Sequence, residues 1–190
     1  MKTIILIFCI ILFFSTGAFS KEKSGDLKFK ESLTKYKNFS AVITQIQDNQ
    51  VSLGKINIAK KRIRLDYVDP SKITLIINSK KGMYYNEDLD EVQYFSTKNT
   101  EALVFYELFY NDFFLEDFTI LDHEQLIFKK KQIVVEDEIL IKIIFEKKPL
   151  LLREIILSGE SINAKLGLSD HDFNPIFINN FFSMADPTLR

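Results

Sequence analysis

The chain contains no tryptophan, and its only cysteine, Cys9, falls within the first twenty residues. If those residues are a leader, the chain from Lys21 onward has neither a thiol nucleophile nor the makings of a disulfide framework, and apolar burial must hold it together. The charge balance has no basic surplus either. Without Lys2, 24 of the 25 Lys and Arg remain against 26 Asp and Glu, a net charge of −2, so nothing points to nucleic acid. Histidine occurs only at His123 and His171, in separate polar segments that read as loops. Adjacent side chains on an extended strand point to opposite faces, so Asp170-His171-Asp172 cannot close a metal site alone. The acidic run Asn86–Glu91 lacks the glycine and the terminal bidentate acid of a calcium loop and reads as a solvated turn. There is no G-x-S-x-G elbow, H-E-x-x-H, Walker loop or G-x-G-x-x-G. No catalytic residue, metal or cofactor is therefore expected, and the protein reads as a binder, not an enzyme.

The first twenty residues combine a basic start at Lys2, eleven apolar residues from Ile4 to Phe14, and small residues at Ala18 and Ser20. This is the plan of a secretory signal over residues 1–20, too short for the roughly 20 apolar residues of a membrane-spanning helix. Cys9 lies inside the apolar run and not after a small-residue lipobox, so lipid attachment is not expected. A single exported domain over residues 21–190 follows, large enough for its own core.

After Ser24-Gly25-Asp26, the positions Leu27, Leu33 and Tyr36 predict a short amphipathic helix. Strand alternation then begins at Asn38–Ile46, with Phe39, Ala41 and Ile43 on one face. The stretch Gly54–Pro70 reads as a hairpin: Ile56 and Ile58, the cationic corner Lys60-Lys61-Arg62, then Ile63, Leu65 and Tyr67. Counting by twos from Ile56 and Ile58 puts Lys60 on the apolar face; the competing reading ends the strand before Lys60 and lets its amine reach water. Lys72–Ile77 is too continuously apolar to assign an inward face. Short strands follow at Met83–Asn86 and Val92–Phe95.

Thr97–Phe118 breaks this rhythm, with Leu103, Val104, Phe105, Tyr106, Leu108, Phe109, Phe113, Phe114 and Leu115 around Asn111-Asp112. The segment is helical or helix-turn-helix. A helix apolar nearly all round is either buried or set over an equally apolar cavity, and in a chain otherwise made of strands the second reading, a lid, fits better. Strands resume at Phe118–Asp122, Gln125–Lys129, Gln132–Glu136, Glu138–Glu146, Leu151–Leu157 and Ile162–Leu168, with turns at Lys130-Lys131, Glu136-Asp137 and Ser158-Gly159. The fold expected is mainly β with helices (α+β): one large curled antiparallel sheet with helices against its concave side.

The order of these features resembles the LolA family of periplasmic lipoprotein carriers. It runs from a signal peptide and short helix through F-S-A-x-I-T-Q at Phe39–Gln45, the basic corner and x-R-x-D-Y-x-x-P ending at Pro70, Tyr84-Tyr85-Asn86 and the apolar helical insert to Phe181 and Asp186-Pro187. The resemblance implies an incomplete antiparallel β-barrel, a half-barrel, with an α-helical lid and an apolar cavity for the acyl chains of lipoproteins. It implies a monomeric periplasmic carrier with three kinds of partner: acylated lipoproteins, an inner-membrane ABC lipoprotein-releasing transporter, and an outer-membrane receptor like LolB. A non-transferring periplasmic binder of lipid or another hydrophobic ligand is the alternative on the same half-barrel. In the family an arginine at the end of the Gly54-like strand holds the lid; Lys60 stands there in this chain, keeping the charge without the planar fork. The acyl-chain cavity is then expected to be walled by Phe39, Ala41, Ile43, Ile56, Ile58, Ile63, Leu65 and Tyr67. Leu103, Phe105, Phe109 and Phe113 are expected to line the lid that competes with the guest.

Overall fold

The computed structural model describes residues 33–189 apart from Phe113, Leu115, Glu116 and Val135. The signal peptide, most of the expected first helix and the lid position Phe113 lie outside the described residues. Within them, Thr34–Lys37 forms one 3-10 turn whose Tyr36 is buried. The strands β1 (Phe39–Gln47), β2 (Gln50–Ala59), β3 (Arg62–Asp69), β4 (Ile73–Ile77), β5 (Lys81–Asn86) and β6 (Glu91–Ser96) then lead into helix α1 (Glu101–Tyr110). After it come β7 (Thr119–Asp122), β8 (Gln125–Val134), β9 (Asp137–Lys147), β10 (Leu150–Ser158) and β11 (Asn163–Asp172).

All eleven strands form one antiparallel sheet in the order β6-β5-β4-β3-β2-β1-β11-β10-β9-β8-β7. Each half is a meander of sequential hairpins, and the β1–β11 ladder joins the halves, setting Ile43 against Leu168 and Gln45 against Leu166. Because side chains alternate across the sheet, the register fixes one continuous apolar face. Phe39, Ala41 and Ile43 of β1 lie opposite Ile58, Ile56 and Gly54 of β2, and Ile56 and Ile58 lie opposite Leu65 and Ile63 of β3. In β4, Ile63 and Leu65 face Ile77 and Leu75, which settles the inward face of that strand. The other half supplies Phe128, Ile139, Ile141, Ile143, Phe145, Leu152, Ile155 and Leu157, all buried in the same core. Burying a side chain of this size contributes about 1.5–3 kcal/mol. Helix α1 lies on that face with Val104, Tyr106 and Phe109 inside, and Phe114 and Phe118 close the core beside Phe128.

The outer face carries a second, smaller core. Ile76, directly opposite Met83, points away from α1, yet both are nearly inaccessible, as is Phe182. The segment 173–189, without helix or strand, covers this area. Arg62 donates from its guanidinium to the Phe182 carbonyl, Arg64 donates to the Phe181 carbonyl at 2.6 Å with its guanidinium 4.5 Å over the Phe181 ring, and the Tyr94 hydroxyl donates to the Met184 carbonyl at 3.1 Å. The arginine of R-x-D-Y is thereby shared: its Nε also pairs with Asp66 at 2.8 Å, while Asp66 accepts from Asn57 and Thr74. This network staples β2, β3 and β4 on the outer face.

Several expectations need correction. Lys130-Lys131 is not a turn: β8 runs through it, paired with Ile141 and Leu140 of β9. Continuing the backbone ladder outweighs three successive lysines, because Lys131 reaches Glu138 at 2.7 Å and Lys130 lies 5.4 Å over the Phe114 ring. His171 is not a loop residue. It sits in β11, where the Nε2 atom lies 2.9 Å from the Leu152 carbonyl and the ring stacks on Phe39 and Phe173. A bulge between Ser40 and Val42, with Asp170 at φ 48°, re-aims the strand there. Finally, the described part of the helical insert is one α-helix ending at Tyr110, followed by a turn.

Candidate functional site

Helix α1 is fastened at both ends to the same half of the sheet. Thr97, fully buried, donates its N–H to the Lys80 carbonyl at 3.3 Å and its hydroxyl to the Asn78 carbonyl at 3.0 Å. Thr100 occupies the N-cap but gives its hydroxyl to the Thr97 carbonyl at 2.8 Å instead of capping the first turn. At the other end Asn111 N–H closes on Glu107 at 2.8 Å, and the Tyr110 hydroxyl donates to the Arg62 carbonyl at 3.2 Å. Burial raises the Tyr110 hydroxyl well above the ordinary tyrosine value, with Tyr106 adding to the effect, so it stays a proton donor across the neutral range. Only Glu101 and Glu107 interrupt the helix's apolar surface.

Lys60, expected to hold this helix, does not share the face of Ile56 and Ile58. The strand ends at Ala59, and Lys60 and Lys61, both at φ 54°, make the two-residue turn into β3. Such a turn needs left-handed backbone at both positions, which carries the Lys60 side chain out to solvent, beside a cleft shared with Arg62, Asn179 and Asn180. The hairpin still meets the helix, but with the donor and acceptor exchanged: a hydroxyl of α1 donates to a main-chain carbonyl next to the turn.

Six of the eight expected wall residues, Phe39, Ala41, Ile43, Ile56, Ile58 and Ile63, are completely buried. They form a packed floor under α1, with the Phe39 and Phe109 rings 5.8 Å apart and Phe109 edge-on to Phe105 at 5.5 Å. The other two, Leu65 and Tyr67, border a cavity of about 280 Å³ beside the first half of the helix. Phe105 and Ala102 cover it from α1, and Leu75 and Ile77 extend its wall along β4. Its far wall comes from the other half of the sheet, Ile155 and Leu157 of β10 with Ala164 and Leu166 of β11. Leu103 lies on the opposite flank of α1, where Val104, Ile133 and Val134 border a second, wider cleft of about 610 Å³.

The far wall was not anticipated. Ile155/Leu157 and Ala164/Leu166 do alternate with period two, but only the β1–β11 ladder brings them opposite Tyr67. The polar lining was missed as well. Gln45 and Gln47 share a 3.0 Å hydrogen bond, and the Tyr67 hydroxyl donates to the Gln45 side-chain oxygen. Burial pushes the Tyr67 hydroxyl up to about 12, so it too stays protonated. Glu101 joins them at the helix start. Among the described residues, no three His, Cys, Asp or Glu side chains gather as a metal site, and none of the side chains lining this cavity pairs a nucleophile with a base.

No family model matches the sequence, and no curated protein is detectably similar to it. Solved structures do share its course. An uncharacterized conserved protein from Thermus thermophilus superposes with a TM-score of 0.50 at 8% identity, covering 82% of this chain and 90% of the other. MucB in complex with MucA(peri) gives a TM-score of 0.44 at 7% identity over 84% of this chain and 58% of that one. A structure of the MucA/MucB complex of Pseudomonas aeruginosa gives 0.44 at 9% identity over 79% and 56%. At such identities the likeness concerns the fold alone, and the described residues have the architecture of an open, curled antiparallel sheet with one α-helix on its concave side.

Proposed function

We propose that this protein is a periplasmic carrier that shelters the acyl chains of lipoproteins released from the inner membrane by an ABC transporter and delivers them to an outer-membrane receptor. The observation that carries the reading is the placement of α1. An almost wholly apolar helix lies over an apolar floor, with an unfilled cavity of about 280 Å³ on one flank and a wider cleft on the other. The order of motifs from Phe39 to Asp186-Pro187, which resembles the lipoprotein carriers, supports the same reading.

Physical chemistry favours such a device. Each sequestered methylene contributes roughly 0.8 kcal/mol, so a long chain held in a permanently open trough would not be released. Ligand pockets usually span about 300–1,000 Å³, and the cavity of about 280 Å³ beside α1 falls just short of that range. A whole acyl chain needs the helix to move. The empty protein then recovers stability by returning Phe105 and Phe109 to the floor, and this competition between helix and guest permits handover. With Lys60 exposed in the turn, the contact we assign as the latch is the Tyr110 hydroxyl on the Arg62 carbonyl.

A non-transferring binder of one short apolar ligand is the second reading, favoured by the complete burial of the six floor residues, which confines a guest that leaves the helix in place to the cavity of about 280 Å³. Mass spectrometry of protein purified from its native periplasm, joined to lipoprotein release from spheroplasts with and without added protein, separates the two. A carrier retains acylated polypeptide and restores release. Bound small lipid with no effect on release establishes the second reading, and hydrolysed products refute both.

A further inference from the structure

The polar groups around the 280 Å³ cavity are mostly uncharged. Its buried wall is aliphatic, through Leu65, Ile77, Ile155, Leu157 and Leu166. Its polar lining, apart from Lys165, is Gln45, Tyr67 and Glu101, all half-buried, and the exposed Gln47. Two are neutral amides and one a phenol held protonated by burial. The only charge they bring is the Glu101 carboxylate.

Lys165 also borders the cavity but brings no cation to it. Its neighbours Ala164 and Leu166 point inward, so its own side chain points outward, where the ammonium holds Glu154 at 2.7 Å. The start of α1 would ordinarily attract an anion. Here Glu101, itself in the first turn, already places a carboxylate at that end.

We infer that the cavity selects an acyl chain joined to its head through an uncharged ester or amide, and rejects the same chain as a free fatty acid; this rests on the carrier reading above. Gln45 and Gln47 already bond one another, and between them keep amide N–H groups and carbonyl lone pairs for a neutral ester or amide. A fatty-acid carboxylate can accept from the same amide N–H groups, but it meets a like charge at Glu101 and no cation, and it loses far more hydration on entry than a neutral ester or amide.

The test uses the whole exported chain and three probes of equal length: 1-dodecanoylglycerol, an N-dodecanoyl dipeptide amide, and dodecanoate. Affinities are measured by calorimetry at pH 8 below the aggregation limit of each. The expected result is that at least one neutral probe binds on the order of tenfold more tightly than dodecanoate, the scale of a like-charge contact near a protein surface. Glu101→Gln then brings the ratio to within about threefold by removing that contact. Preference for the glycerol ester points to a glycerolipid source, and preference for the acyl peptide to an acylated protein. Dodecanoate binding as tightly as both neutral probes, or a ratio unmoved by Glu101→Gln, overturns the inference while leaving the apolar-guest reading in place. No binding of any probe to either protein removes that reading and the inference together.

Discussion

Truncating Phe109 to alanine separates a lid from a fixed part of the core. Phe109 is 6% exposed and packs between Phe39 and Phe105 at ring distances of 5.8 and 5.5 Å. Removing a buried phenylalanine costs about 3–5 kcal/mol where the site cannot collapse. If α1 detaches as a unit while the sheet stays folded, that loss falls on the closed state alone. The fraction of molecules with the helix lifted then rises, and the apparent affinity for an acyl guest rises with it, tenfold for every 1.4 kcal/mol until the open form dominates. Taking about 3 kcal/mol, the gain reaches up to roughly a hundredfold. Calorimetric titration with an acylated peptide measures the gain, and hydrogen exchange of residues 101–110 against the sheet locates the opening. Handover to a second acceptor should slow, because the returning helix no longer expels the guest. Affinity that stays level or falls, with global stability lowered by the same 3 kcal/mol, would show that α1 unfolds only with the sheet, and the competition between helix and guest would be wrong.

Two further outcomes follow from the geometry. Replacing Lys60-Lys61 by Asn-Gly relieves two left-handed lysines at φ 54°, and denaturant melts should show a gain of roughly 1 kcal/mol with guest affinity within about twofold of the parent; a large loss of affinity would restore Lys60 as a lid contact. Lowering the pH should destabilise the fold through His171. Burial chiefly depresses its pKa, Arg153 and Lys35 act the same way, and the Leu152 carbonyl and Asp170 oppose them. With Nε2 donating to that carbonyl, Nδ1 is left buried and without a partner. Because the folded pKa lies below the ordinary 6.5, the unfolded chain takes up the proton first. The contribution is complete above 6.5 and is lost as pH falls through the folded value. Urea midpoints between pH 7.5 and 5 should fall less in His171→Gln, and an equal fall in both proteins would refute the assignment.

The sequence on its own determined what is local. Alternation with period two located the strands, and it put Phe39, Ala41, Ile43, Ile56, Ile58, Ile63 and Leu65 on a single face, because a strand in a half-buried sheet has only one way to hide such residues. The apolar density of Leu103–Phe109 likewise identified a helix that had to be covered. Lys60 escaped this logic, since counting by twos holds only while the strand continues, and whether the backbone turns left-handed at a lysine depends on the pairing of β2 with β3. Lys130 and Lys131 escaped it in the opposite sense: they resemble a turn, but the ladder to β9 carries the strand through them.

Tertiary structure alone decided where a guest can go. Gln45 and Leu166 are neighbours only because β1 pairs with β11, and no local pattern encodes a ladder between segments more than a hundred residues apart. That closure turned most of the expected wall into a filled floor. It moved the open space toward Tyr67, Phe105 and Leu157, between the two halves of the sheet, where one ten-residue helix does not fill the gap.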